Sequence, residues 1–199
     1  MLTKNLQNKL GWIELITGCM FAGKTEEFIK RLRRHSYAKR NVVAFKPIID
    51  DRYSIDKISS HSGSQFESYP VKDSLQMVEK IKELTKIKKI DVLGIDEIQF
   101  FDEGIVNLVQ EYADKGIIVI VNGLDKDFKC EPFKNVDKLL VQAEYVDKLS
   151  AICHNCGSNA SRTQRIVNGK PAAANEPVIL VSGEEQYEAR CRHCYIKPK

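Results

Sequence analysis

Apolar residues along this chain fall into short dense runs, separated by longer stretches where they recur every three or four positions. Trp12-Ile-Glu-Leu-Ile-Thr17 is β-rich, and Lys24 to Lys39 spaces Phe28, Leu32 and Ala38 among charges as a half-buried helix does. The alternation continues with a strand from Asn41 to Lys46, a polar stretch from Pro47 to Gln65, and a helix from Asp73 to Ile87 whose apolar face is Leu75, Val78, Ile81 and Leu84. A strand from Ile90 to Ile95, a helix from Asp102 to Lys115 closed by Gly116, and a strand from Ile117 to Asn122 complete the series. The last two strands are nearly all apolar, which suits a sheet buried on both faces. The expected class is α/β, a parallel sheet flanked by helices.

Near Ser150 the helical periodicity stops, and a hairpin with Asn168-Gly169 at its tip is expected between two cysteine pairs. This places a domain boundary there, giving units 1–149 and 150–199. At roughly 150 residues per domain, the 199-residue chain is one domain and a remainder too small to hold its shape without a staple.

The 31 Lys and Arg against 27 Asp and Glu leave a net charge of +4, interspersed rather than concentrated. That is not the footprint of a protein that lives on nucleic acid, so no stable nucleic-acid partner is expected. The basic cluster Lys30-Arg-Leu-Arg-Arg34 reads as the solvated face of an amphipathic helix, with a nucleic-acid patch as the alternative. The first ten residues contain no apolar signal core, and nowhere do about 18 apolar residues run together, so no membrane partner is expected. The expected compartment is the reducing cytoplasm.

Gly18-Cys19-Met20-Phe21-Ala22-Gly23-Lys24-Thr25 matches Gly-x-x-x-x-Gly-Lys-Thr, directly after one expected strand and before one expected helix. Glycines let backbone N–H groups turn inward around phosphates, and the helix N-terminus adds partial positive charge. Lys24 is placed at the β- and γ-phosphates of a nucleotide and Thr25 on magnesium. The expected fold is therefore a P-loop NTPase (RecA-like) sheet. Such a fold needs an acid at the end of another buried strand, and Asp91-Val-Leu-Gly-Ile-Asp96-Glu97 supplies it. Asp96 is the magnesium residue, and Glu97 is either a proton acceptor free of the metal or a solvent-facing acid.

Ile98-Gln99-Phe100-Phe101 and the segment Gly123-Leu124-Asp125 to Phe133 follow strands on the ligand side of the sheet. Their aromatics either stack on a planar base or pack the core. Cys153-His-Asn-Cys156 and Cys191-Arg-His-Cys194 form two Cys-x-x-Cys pairs suited to structural zinc, with His154 and His193 as bystanders. Bound zinc contributes about 10–16 kcal/mol to folding in small modules, enough to order a segment with little core.

Taken in order from about Gly11 to Cys194, the loop Gly-x-Met-Phe-Ala-Gly-Lys-Thr, the segment Asp-Glu-x-Gln-Phe-Phe, the Gly-Leu-Asp…Phe…Pro-Phe loop and the paired cysteines resemble the cytosolic-type (type II) thymidine kinases. The resemblance implies transfer of the γ-phosphoryl of ATP to the 5′-hydroxyl of thymidine, with magnesium and a structural zinc. It makes Glu97 the base for that hydroxyl and assigns the nucleotide to Gly18 through Thr25 with Asp96, Glu97, Ile98 and Gln99. Met20, Phe100, Leu124, Phe128 and Phe133 become the wall around thymine, with Thr163 on the base and Tyr187 near the sugar. The run Val178, Ile179, Leu180, Val181, Ser182 matches the covering segment of the family's lasso, a zinc-stabilised lid over the nucleoside. Asp50-Asp-Arg52-Tyr53 resembles a family motif that would bring Arg52 to the transferring phosphoryl, where a guanidinium neutralises developing charge. A homotetramer is also implied. Cys19 departs from the family's usual proline and is expected to put an oxidisable thiol near the phosphates. The rival reading from the residues alone is a nucleic-acid-dependent ATPase with a zinc module, and a third is a nucleotide-binding module without catalysis.

Overall fold

A computed structural model describes residues 11–48, 56–60, 62–178 and 186–199. Six strands form one sheet: β1 (Trp12–Gly18), β2 (Val42–Pro47), β5 (Tyr69–Val71), β6 (Val92–Ile95), β7 (Ile118–Leu124) and β8 (Tyr145–Leu149). Their order is β5-β2-β6-β7-β1-β8, and every pairing is parallel. Among the described residues four α-helices cover it: α1 (Lys24–Tyr37), α2 (Ser74–Ile87), α3 (Gly104–Asp114) and α4 (Lys134–Gln142). In the polar stretch after β2, β3 (Lys57–Ser59) and β4 (Gln65–Glu67) pair as a small antiparallel ribbon.

The two-residue period of the strands splits the core in two. Ile13, Leu15, Val43, Phe45, Leu93, Ile95, Val119 and Val121 face one side, where Met77 and Ile81 of α2, Ile105 and Val109 of α3, and Val136 and Leu139 of α4 pack on them. Ile16, Ala44, Val92, Ile118 and Ile120 face the other, under Phe28, Ile29 and Leu32 of α1. Each fully buried side chain of this size contributes about 1.5–3 kcal/mol.

Two details differ from the sequence expectation. Leu75 is exposed, while Met77 carries the buried face of α2. Positions 75 and 84 are nine residues apart, which is half a revolution at 3.6 residues per turn, so they cannot share a face. Helix α4 and strand β8 were not anticipated: β8 is an edge strand exposed along most of its length and so lacks an apolar alternation. The basic cluster of α1 is the solvated face expected, with Lys30, Arg33 and Arg34 exposed, and two of its members pair with acids. Arg31 binds Glu14 at 2.9 Å, Glu27 at 3.0 Å and Asp147 of β8, and Lys30 binds Glu27 at 2.8 Å.

After β8 the chain builds short ribbons: β9 (Ala151–Ile152) with β10 (Asn159–Ala160), and β11 (Arg162–Val167) with β12 (Lys170–Pro171) and β13 (Gln186–Arg190). The hairpin expected at Asn168-Gly169 is present, with φ of 50° and 75° at the two turn residues. Here the core shrinks to Ala151, Cys153, Ala160, Ala189 and Cys191, packed against Cys19, which directly follows β1.

Candidate active site

The loops that follow β1, β6 and β7 emerge at the same end of the parallel sheet, as the geometry of such sheets requires. The phosphate loop leaves β1 at Gly18, which has φ 140° and would place a Cβ 2.3 Å from the Leu149 carbonyl oxygen, so only glycine fits beside β8. Gly23, left-handed at φ 78°, caps α1 and leaves the space in front of it open. Lys24 folds back to donate from Nζ to the Cys19 carbonyl at 2.9 Å. Burial pushes its ammonium pKa down, against the pull of Glu97 and other nearby acids.

Asp96 directly follows β6 and is 7% exposed. Burial, and then the charge of adjacent Glu97, push its carboxyl up to about 7, and its Oδ1 has no hydrogen-bond partner among the described residues. A buried carboxylate oxygen without a donor is what a divalent cation would satisfy, with the Thr25 hydroxyl as the companion ligand. Glu97 sits in the left-handed region at φ 48°, ψ 48°, a strained backbone for a non-glycine residue. Its N–H donates to Asn122 Oδ1 at 3.3 Å, and its Oε2 accepts from Gln99 Nε2. The Gln99 carbonyl oxygen in turn accepts from Leu124 N at 3.1 Å, which fixes the amide orientation.

A cavity of about 730 Å3 opens between these loops. Met20 to Thr25 and Glu97 line one part, Phe100, Leu124, Phe128 and Phe133 another, and Thr163, Val178 and Tyr187 the side formed by the cysteine-bearing unit. Other expected residues lie elsewhere. Ile98 is fully buried in the larger core cluster, so its side chain is not available to a nucleotide, and Gln99 serves Glu97 and Leu124. Arg52 and the run Ile179, Leu180, Val181 and Ser182 lie outside the described residues.

The expectation for Cys19 is corrected. Its thiol is 0% exposed, donates to the Ala160 carbonyl at 3.4 Å, and is pushed up in pKa chiefly by burial. It packs against Ala151, Cys153 and Ala160 and does not line the cavity, and buried thiols of this kind are inert.

Sequence reasoning missed Arg165, which is 1% exposed, with its guanidinium 5.3 Å from the centre of the Phe128 ring and Nη1 2.6 Å from the Pro177 carbonyl. The signal was available, because Arg165 is two residues from Thr163 on one strand and so shares its face.

The Sγ atoms of Cys153, Cys156, Cys191 and Cys194 all lie within 4.8 Å of one another, and none is in a disulfide. Cys156 and Cys191 are 3.7 Å apart, close to the edge of a tetrahedron with metal–sulfur bonds of about 2.3 Å. Burial works against ionising Cys153, but backbone donors at Cys191, Cys156 and Asn155 outweigh it and hold the thiol down at about 6. Four convergent thiols at this spacing could hold zinc. His154 points instead toward Glu188 at 3.7 Å.

The family model described as thymidine kinase matches residues 11–195. This chain belongs to the thymidine kinase family. It is 64% identical over 189 residues to the thymidine kinase of Mesoplasma florum, covering 95% of this chain and 93% of that one. It is also 64% identical over 192 residues to the thymidine kinase of Mycoplasma capricolum subsp. capricolum, covering 96% and 92%. Thymidine kinase membership accounts for the combination of phosphate loop, acid pair and cysteine-bearing unit around one cavity. No helix among the described residues is long and apolar enough to cross a membrane.

Proposed function

We propose that this thymidine kinase transfers the γ-phosphoryl of ATP to the 5′-hydroxyl of thymidine, with the unit 150–199 closing over the nucleoside. The observation that carries this reading is that Glu97, Lys24 and the aromatic side chains of Phe100, Phe128 and Phe133 line one cavity. The backbone N–H groups of the phosphate loop and Lys24 hold the triphosphate. Glu97, oriented by Gln99, takes the proton from the 5′-hydroxyl as that oxygen attacks the γ-phosphorus in line. Thr25 and Asp96 would hold magnesium, which would supply positive charge against the phosphates. Arg52 is proposed to assist at the same phosphoryl group. Phe100, Phe128 and Phe133 sandwich the pyrimidine and keep water from competing as acceptor. Cys153, Cys156, Cys191 and Cys194 would hold zinc, which would order the covering segment without entering the chemistry. Family membership supports a homotetramer resident in the cytoplasm.

The decisive experiment supplies ATP with thymidine or with single-stranded DNA and measures ADP release. Thymidine-driven release with stoichiometric dTMP supports the proposal. DNA-driven release would support a nucleic-acid-dependent ATPase, and no release with either would leave a binding module.

A further inference from the structure

The loop from Asp125 to Phe133 is braced from within. Asp127 Oδ1 accepts from the N–H groups of Lys129 at 2.8 Å and Glu131 at 2.9 Å, and Lys126 bridges Pro132. These bonds fix the loop's shape but not its position. Phe128 at its tip is 3% exposed and lines the cavity, so its ring position sets the width of the slot for a planar base.

Behind that ring, the Tyr195 hydroxyl donates to the Phe128 carbonyl at 2.7 Å. Tyr195 directly follows the last cysteine of the cluster and is held from several directions. Its N–H donates to the Cys191 carbonyl at 3.0 Å, the Arg162 guanidinium lies 5.8 Å from its ring centre, and the next N–H, of Ile196, donates to Gln164 Oε1 at 2.8 Å. Tyr195 is therefore fixed to both the cysteine cluster and β11, and its hydroxyl reaches across to the substrate-facing loop.

We propose that Tyr195 is a positioning residue for the nucleoside: it ties the cysteine cluster to the Phe128 carbonyl and so holds the aromatic wall at the spacing a pyrimidine needs. The inference rests on the reaction proposed above for its substrate, but the tether itself is a property of the apoprotein. Tyr195 reaches the nucleoside only through Phe128 and touches no reacting atom. It also lines an open groove of about 310 Å3 with Lys129, Arg162 and Arg192, so removing its hydroxyl opens no hole in a packed core.

The test is Tyr195→Phe. It keeps the ring and leaves the Phe128 carbonyl unpaired at this contact, a change worth about five-fold in nucleoside binding for one hydrogen bond. The expected result is a KM for thymidine raised about five-fold, with kcat and the KM for ATP within about two-fold of the parent and bound metal per chain unchanged. Hydrogen exchange on the nucleoside-free protein should show faster exchange across residues 126–132 and unchanged protection around the cysteine pairs. Unchanged exchange in the loop overturns the tether, whatever the substrate proves to be. Equal rises in both KM values, or loss of metal, would mark a merely structural residue and overturn it too. If the parent enzyme fails to phosphorylate thymidine, the proposed reaction falls, while the exchange measurement still decides the tether.

Discussion

The backbone N–H of Met20, in the phosphate loop, donates to the side-chain oxygen of Thr163 at 3.1 Å, joining the two halves of the cavity at the residues where they face each other. The Thr163 hydroxyl keeps its own proton free to donate into the cavity while its oxygen is engaged by the loop. Thr163→Val preserves shape but removes both roles. The KM for thymidine should rise about ten-fold, with a smaller effect on ATP, because a phosphate cradle made of backbone groups survives the change. Steady-state kinetics with each substrate varied in turn measures this.

Glu97→Gln keeps the hydrogen-bonding volume but cannot accept a proton. Turnover should fall by about 10²–10⁴-fold, the range attributed to general-base catalysis, while ATP affinity measured by calorimetry stays near the parent value. A mutant with parental single-turnover rates would remove Glu97 from the mechanism.

Cys153, Cys156, Cys191 and Cys194 should bind one zinc ion per chain, measurable by elemental mass spectrometry. Stripping the metal with a strong chelator should lower Tm and abolish thymidine phosphorylation. The small core of Ala151, Ala160 and Ala189 cannot replace a contribution of about 10 kcal/mol or more. Nucleotide binding to the phosphate loop should persist.

Asp102 caps two helices with one carboxylate. It accepts from the Ser74 N–H and hydroxyl at 2.7 Å each, and from the Gly104 N–H at 3.0 Å. Partial burial pulls its pKa up, but these donors outweigh it and hold the group below the ordinary carboxylate value. A depressed folded-state pKa gives stability that is complete above the unfolded value of about 3.9 and lost as pH falls through the folded one. Asp102→Ala should therefore cost about 1–2 kcal/mol near neutrality, and the difference from the parent should vanish in acid, as read by urea unfolding across pH.

Much of this molecule was legible from residue order because its elements carry opposite periods. Strands such as Ile118–Leu124 are buried on both faces and read as solid apolar runs, and the phosphate loop and cysteine pairs announce themselves by spacing. What stayed hidden depends on through-space partners. Nothing local marks Tyr145–Leu149 as a strand, since its parallel pairing with β1 and the Asp147–Arg31 contact supply what its side chains lack. Nothing in the loop sequence says that Cys19 turns away from the phosphates, because the pocket that receives it is built by Ala151 and Ala160 far along the chain. On α2 the run of threes puts Val78, Ile81 and Leu84 on the core but carries Leu75 out to solvent and passes over Met77, because a three-residue step drifts around a helix.

The left-handed backbone at Glu97 also sets robustness against turnover. A residue with a side chain loses about 1–3 kcal/mol in that conformation, and this one adds a negative neighbour to the already crowded Asp96. Glycine there would relieve both conflicts, so Glu97→Gly should melt later than the parent while its turnover falls at least as far as that of Glu97→Gln. Selection for heat tolerance alone would erase this acid, and its persistence would have to come from demand for the reaction.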